Sequence, residues 1–172
     1  MKEQIINHII GLEGGYVDDP ADSGGKTNYG ITESVARANG YDGEMSAMPQ
    51  SLAFDIYAKK YWDAVKADEL CAIDKRIALE VVDTGVNMGT GRAVKFLQRA
   101  LDVLSSHDVA VDGAIGSKTI AALVDYMARR NDPGTLLKAL NCMQGEFYIS
   151  LAERREKDKA FVYGWLRNRV EI

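Results

Sequence analysis

One stretch of the sequence decides how the chain folds: Glu13-Gly-Gly-Tyr-Val-Asp-Asp-Pro-Ala-Asp-Ser-Gly-Gly-Lys-Thr-Asn-Tyr-Gly-Ile-Thr32. Isoleucines recur at helical spacing before it, which predicts a helix over residues 3–13 that ends at the glutamate. Gly14 and Gly15 end this helix, because glycine enters left-handed backbone conformations at little cost. The glycines and Asp19-Pro20 predict a loop over residues 14–31. Thr32 is the predicted N-cap of a short helix that closes at Gly40.

Helical patterns continue to the end of the chain. Predicted helices cover residues 49–66, 74–88, a segment from Gly91 through Leu101, 117–130 and 135–157. The longest is expected to bury Leu136, Leu140, Met143, Phe147 and Leu151. These patterns predict an all-α fold with two lobes, residues 1–89 and 90–172, packed as one compact unit.

Composition narrows the class of protein. The chain has 172 residues, 47% of them hydrophobic and 27% charged, which is typical of an ordered globular protein. Its net charge of −4 argues against a nucleic-acid partner. Residues 1–89 carry 8 Lys and Arg against 15 Asp and Glu, whereas residues 90–172 carry 13 against 10. An anionic polymer is therefore better tolerated by the second half.

The cysteines and the N-terminus indicate the compartment. Cys71 and Cys142 lie in apolar contexts that favour buried free thiols, with a disulfide left open as the alternative. No zinc-ligand spacing occurs, and no metal or cofactor is expected. The first residues resemble neither a signal peptide nor a membrane anchor, so we expect synthesis in the cytoplasm without membrane insertion.

Glu13 is the candidate general acid. Cleavage of a glycosidic bond requires a carboxyl group that stays protonated near neutral pH. Glu13 shares a predicted helix face with Ile6, Ile9 and Ile10, and burial there would raise its pKa. The negative end of the helix dipole acts in the same direction.

The loop supplies candidate partners for this acid. Asp22 could stabilise an oxocarbenium-like charge or orient a water molecule, and the Thr27 hydroxyl could position that water. Tyr16 and Tyr29 are candidate surfaces for sugar rings, and Asn28 is a further candidate for substrate binding.

Each of these residues also has a purely structural interpretation. A glutamate before two glycines is commonly a helix-end residue, and aspartates such as Asp22 favour turns. Thr27 and Thr32 could both be caps. Tyr57, Tyr61 and Trp62 stand at helical spacing and are interpreted as core residues.

The full string from Glu13 to Thr32 resembles the N-terminal motif of glycoside hydrolase family 108, N-acetylmuramidases of phages and prophages, some of them described as secretion-activating proteins. The resemblance extends through Val86-Asn-Met-Gly89, Leu97-Gln-Arg-Ala-Leu101 and Val111-Asp-Gly-Ala-Ile-Gly116 to Gly164-Trp-Leu166. The later segments are similar to the family's predicted peptidoglycan-binding region.

This resemblance implies a lysozyme-like, predominantly helical fold and hydrolysis of the β-1,4 bond between N-acetylmuramic acid and N-acetylglucosamine. The family's catalytic glutamate falls on Glu13, and peptidoglycan glycan strands are the implied partner. Lytic transglycosylase activity and a non-catalytic wall-binding or secretion-assisting role are the alternatives. Action on the wall after holin-type release is expected, whereas the stereochemical outcome and the oligomeric state are left open.

Overall fold

A computed structural model describes residues 1–18 and 25–170. The chain forms two compact units, Met1–Trp62 and Asp63–Ile172. These units are a division by packing, and the lobe boundary predicted at residue 89 stays a prediction. In the described part of the chain, no helix combines the length and the apolar character needed to cross a bilayer.

The first unit contains three helices and a small antiparallel sheet among its described residues. In chain order the elements are α1 (Lys2–Glu13), β1 (Thr27–Asn28), β2 (Ile31–Thr32), α2 (Glu33–Ala38) and α3 (Gln50–Tyr57), with a 3-10 turn at Met45–Ala47 and a π-helical turn at Ala58–Trp62. The predicted helix 3–13 and its end at the glycines are confirmed, since Gly14 has φ 83°. Thr32 caps α2 as predicted, accepting a hydrogen bond from Val35 N at 3.4 Å.

The core of the first unit forms where α1 packs against α3 and the π-helical turn. Ile6, Ile9 and Ile10 of α1 are buried, as their helical spacing predicts. Tyr57 and Trp62 are also buried, so their interpretation as core residues is confirmed, whereas Tyr61 is only half-buried.

The hairpin β1–β2 is the one sheet in the described residues, and the sequence did not predict it. Thr27 pairs with Thr32 and Asn28 with Ile31, and Val17 adds an isolated bridge to Thr27. Two-residue strands are too short to show the alternation of apolar and polar residues by which strands are recognised. The prediction of a predominantly helical protein is nevertheless confirmed.

The second unit is helical throughout its described elements. These are α4 (Ala67–Ile73), α5 (Lys75–Met88), α6 (Thr90–Leu104), α7 (Ser117–Arg130), α8 (Pro133–Arg154) and α9 (Lys159–Arg169), with 3-10 turns at Asp63–Val65 and Glu156–Asp158. The helix predicted over residues 49–66 is wrong in extent, because the π-helical turn and the 3-10 turn interrupt it before α4 begins. Lys66 N-caps α4 in the left-handed conformation, with φ 48°.

The buried face of α8 differs from the prediction. Leu136 and Leu140 are buried as expected, but Met143, Phe147 and Leu151 are only partly buried. Asn141, Gln144 and Tyr148 take the buried positions instead. The buried face of α8 is therefore more polar than the face predicted from the spacing of its apolar residues.

The cysteines also depart from the expectation. Cys71 is half-buried, Cys142 is exposed, and both are free thiols. The prediction of two buried thiols is wrong, because their apolar neighbours in sequence point to other sides of α4 and α8. Partial burial raises the pKa of the Cys71 thiol.

Candidate active site

Glu13 is the last residue of α1. Its side chain is exposed, so the predicted burial among the isoleucines of this helix is wrong. Ile6, Ile9 and Ile10 face the core, while the end of the helix turns the carboxyl group toward solvent. The site thus presents a carboxyl group that a ligand can reach.

The turn of the hairpin lies against this glutamate. Tyr29 and Gly30 join β1 to β2 and both have positive φ, 51° and 71°. Two left-handed residues in a two-residue loop are typical of a type I′ turn, whose twist matches that of the flanking strands. A Cβ atom on Gly30 would lie 2.7 Å from the Tyr57 hydroxyl oxygen and 2.9 Å from Cβ of Glu13. Only glycine allows the turn to approach both side chains this closely.

Tyr57 anchors the turn through a hydrogen bond. Its ring is buried, and its hydroxyl donates a hydrogen bond to the Tyr29 carbonyl oxygen at 2.9 Å. Burial raises the pKa of Tyr57, and the negative charge of Glu13 raises it further. The phenol is therefore a neutral donor at physiological pH, within electrostatic range of the glutamate. Sequence reasoning assigned Tyr57 to the core and missed this contact, since no short-range pattern connects residues 29 and 57.

Thr27 and Tyr16 lie on the segments that frame the hairpin. Thr27 is half-buried on β1, and its backbone exchanges two hydrogen bonds of 2.9 Å with Val17. Tyr16 is exposed, and its hydroxyl donates to Asp18 Oδ2 at 3.3 Å. The bridge brings the segment that follows Glu13 beside β1. Tyr16 is open to a ligand, as a sugar-binding aromatic must be.

Asn28 has a role inside the fold. Its side chain is buried, and its Nδ2 donates to the Met45 carbonyl oxygen at 2.7 Å. The amide thus holds β1 against the 3-10 turn, and it is not among the surfaces open to a sugar. Tyr29, by contrast, is only half-buried at the tip of the turn.

Asp22 lies outside the described residues, as do the predicted turn residues Asp19, Pro20 and Gly24. The described part of the site therefore consists of Glu13, the hairpin turn and Tyr57. Chemically it offers one accessible carboxyl group beside a rigid turn, with a neutral phenol behind it.

Comparisons with known proteins give the family of the chain. Residues 6–89 match the model of the family described as glycosyl hydrolase 108, and residues 92–170 match a "Predicted Peptidoglycan domain". No curated protein matches the chain. Among solved structures, SagA of Brucella abortus is 30% identical, with 97% of this chain and 96% of that chain covered and a TM-score of 0.56. The chain thus belongs to the glycosyl hydrolase 108 family and carries a peptidoglycan-binding domain in its C-terminal half.

Proposed function

We propose that this glycoside hydrolase is an N-acetylmuramidase and that Glu13 is its general acid. Its substrate is the glycan strand of peptidoglycan, and the bond cleaved is the β-1,4 bond between N-acetylmuramic acid and N-acetylglucosamine. The observation that carries the proposal is the position of Glu13, an accessible carboxyl group at a helix end with a hairpin turn pressed against it.

In the proposed reaction, the Glu13 carboxyl group gives its proton to the glycosidic oxygen while the bond from that oxygen to C1 breaks. The sugar left behind acquires oxocarbenium character and water adds to C1. The proton that this water loses passes to solvent, and the Glu13 carboxylate takes up a proton from solvent to regenerate the acid.

The neighbouring residues have separate proposed roles. Tyr16 and Tyr29 present aromatic surfaces on which sugar rings can lie. The Thr27 hydroxyl positions the water molecule, and Asp22 stabilises positive charge on the sugar or orients that water. Gly30 and Tyr57 hold the hairpin turn beside Glu13 and act through position alone.

The test is the turbidity loss of purified peptidoglycan under wild-type and Glu13→Gln protein. The glutamine keeps the shape of the side chain and removes the acid, so the rate should fall by about 10²–10⁴. Glu3→Gln is the matched control, since Glu3 is an exposed glutamate near the opposite end of α1. Equal rates for wild type and Glu13→Gln would disprove the role of Glu13.

Mass spectrometry of the released fragments separates the proposal from its alternatives. Reducing muramic acid ends indicate hydrolysis, whereas anhydro ends indicate a lytic transglycosylase. Binding to insoluble peptidoglycan without any release of fragments would indicate a non-catalytic module. We further propose that the protein reaches the wall through holin-type release, which fractionation of cells with and without a holin would test.

A further inference from the structure

An open groove of about 520 Å³ lies along one side of α6, beside the loop that leads to α7. Its volume falls in the range of ligand sites, about 300–1,000 Å³. The exposed side chains that line this groove, called here the α6 groove, are Arg92, Lys95 and Arg99 of the helix and Val111 and Asp112 of the loop. A ligand can therefore reach three cations from solvent.

The three cations form a row on one face of α6. Arg92, Lys95 and Arg99 are separated by three and four residues, the spacing that brings side chains of successive helical turns together. The row is about 10 Å long, because a helix rises about 1.5 Å per residue. A single small anion cannot reach both of its ends. A ligand that uses the whole row needs several anionic groups.

The protein itself does not neutralise this row. In the part of the chain that the structure describes, none of the three cations forms an ion pair with a carboxylate. By contrast, the exposed Arg129 of the same unit pairs with Asp125 at 2.7 Å. Cations that converge on a groove without carboxylate partners favour an anionic ligand.

Asp112 is the one carboxylate among the described lining residues, and the fold occupies it. Its Oδ1 accepts hydrogen bonds from Ala114 N at 2.9 Å and from Gln98 Nε2 at 2.7 Å. These two bonds lower the pKa of Asp112, so it is ionised at neutral pH. The groove thus carries three positive charges against one negative charge.

Two of the cations are held in place by their neighbours. The Arg92 guanidinium lies over the ring of Phe147, 3.7 Å from its centroid, and this stacking leaves the N–H groups at its edge free. Gly113 packs against Lys95, since a Cβ atom on this glycine would lie 3.1 Å from Lys95 Cε. Side chains that are already positioned lose less conformational entropy when a ligand binds.

Phosphate suits this row better than carboxylate. The guanidinium fork matches both anions. The oxygens of a carboxylate lie in one plane, whereas those of a phosphate point in several directions. A single phosphate group can therefore contact cations on two successive turns, such as Arg92 and Lys95.

The groove lacks the features of a nucleic-acid or membrane site. Phe96 is the one aromatic among its described lining residues, and it is buried. The Phe147 face is covered by Arg92, so the described groove offers no free ring on which a base could stack. Segments that bind anionic membranes usually carry about 4–8 cations, more than this row provides.

We propose that the α6 groove binds a linear phosphodiester polymer without nucleobases, of the polyol phosphate type. This site is separate from the proposed hydrolysis at Glu13 and does not depend on it. Its ligand differs from peptidoglycan, whose sugars and peptides carry carboxyl, hydroxyl and amide groups but no phosphate.

The test measures binding of a poly(glycerol phosphate) oligomer to the full chain by calorimetry and by NMR shifts of α6. Lys95→Gln and Arg99→Gln keep most of the side-chain length and remove the charge. Each should weaken binding by about fivefold, as expected for one exposed ion pair. Lys157→Gln and Arg130→Gln are the matched controls, at exposed cations of the same unit outside the groove, and should bind normally.

Asp112→Asn should have the opposite effect. The asparagine oxygen can still accept the bonds from Ala114 and Gln98, while the negative charge of the groove is removed. Binding of the oligomer should therefore become about two- to fivefold tighter. Asp108→Asn, at an exposed aspartate of the same loop that does not line the groove, should bind as wild type does.

The salt dependence of binding separates phosphate contacts from a structural role. A plot of log affinity against log salt concentration should become less steep by about 0.7–1 for Lys95→Gln and for Arg99→Gln, because each loses one phosphate contact. Damage to the fold would lower the affinity without changing this slope.

The proposal is overturned if the oligomer does not bind or if the groove variants bind it as tightly as their controls. It is also overturned if polyglutamate, single-stranded DNA or phosphatidylglycerol vesicles of matched charge bind as tightly as the oligomer. Failure of the muramidase proposal is seen separately, because poly(glycerol phosphate) contains no glycosidic bond and the turbidity assay of Glu13→Gln contains no oligomer.

Discussion

Gly30 stands directly against the carboxyl group of Glu13: a Cβ atom added to this glycine would lie 2.8 Å from Glu13 Oε2. Real Cβ atoms do not approach an oxygen so closely, so either the hairpin turn or the glutamate would have to move. The absence of a side chain at Gly30 thus allows the turn to lie against Glu13, seventeen positions earlier in the sequence.

We therefore expect Gly30→Ala to lower the proposed muramidase activity. Displacing a reacting group by about 1 Å can cost on the order of a hundredfold in rate. The measurement is the turbidity loss of peptidoglycan at equal folded concentration, checked by circular dichroism. Gly40→Ala is the matched control, because Gly40 also has positive φ, 83°, and a Cβ there would meet nothing within 4 Å in the described structure. If both variants lose activity equally, backbone strain accounts for the loss and the contact with Glu13 does not.

Tyr57 should make the protein sensitive to alkali. Burial and the charge of Glu13 raise the pKa of Tyr57 in the folded state. The unfolded chain therefore loses this proton first, and stability falls as the pH rises above about 10, by at most about 1.4 kcal/mol per pH unit. Below that pH the hydroxyl is protonated in both states and the effect is absent.

In the Tyr57→Phe variant the free energy of unfolding should therefore fall less steeply with rising pH. At neutral pH it should be lower than in wild type by about 1 kcal/mol, because the hydrogen bond to Tyr29 is lost. Urea denaturation between pH 7 and 11 measures both effects. Tyr61→Phe, in the adjoining π-helical turn, serves as the comparison. An alkaline decline of the same slope in wild type and Tyr57→Phe would contradict the assignment.

Gln98 should be essential for the loop between α6 and α7. Its buried side chain donates to Asp112 Oδ1 at 2.7 Å and accepts from Gly113 N at 2.8 Å. Gln98→Leu would remove both bonds and leave Gly113 N without the acceptor it has here, so it should destabilise the protein by about 1–3 kcal/mol. Urea denaturation measures the loss, and Arg99→Leu, at the exposed neighbouring position, should change stability much less. A stable Gln98→Leu variant would show that water replaces these bonds freely.

Asp74 should stabilise α5 from its N-terminus. Its Oδ1 accepts hydrogen bonds from Arg76 N at 2.8 Å and from Ile77 N at 3.3 Å. Asp74→Ala should therefore cost about 0.5–2 kcal/mol at pH 7. Hydrogen bonds from Arg76 lower the pKa of Asp74 in the folded protein. The contribution of Asp74 to the free energy of unfolding is therefore complete above the ordinary carboxyl pKa, and it is lost as the pH falls through the lowered pKa of the folded state.

The difference between wild type and Asp74→Ala should consequently narrow in acid, which paired urea titrations at pH 7 and at acid pH would measure. Asp108→Ala, at an exposed loop aspartate of the same unit, is the control. A difference that stays constant with pH would contradict the cap.

Local patterns predicted most of the helices. Three of the signals are local: the isoleucine spacing of α1, the glycine after Glu13 and the cap at Thr32. Each acts within one or two helical turns, so it can be recognised from neighbouring residues in the sequence. The same reasoning failed at α8. Asn141, Gln144 and Tyr148 are buried there, whereas the apolar residues that were predicted to be buried, Met143, Phe147 and Leu151, are only partly buried. Which face of a helix is buried depends on its packing partners, and two partners of α8, helices α5 and α6, lie before α7 in the chain.

The sequence alone determined that a helix ends at Glu13, that the chain breaks after it, and that the family motif is present, because each of these features depends on consecutive residues. Tertiary structure alone decided that Glu13 is exposed, that the turn at Gly30 lies against it, and that Asn28 is buried inside the fold. The reason is physical: the Tyr57 hydroxyl reaches the Tyr29 carbonyl across 28 positions of chain. Contacts of that range are formed only when the packing of α1 against α3 brings their elements together.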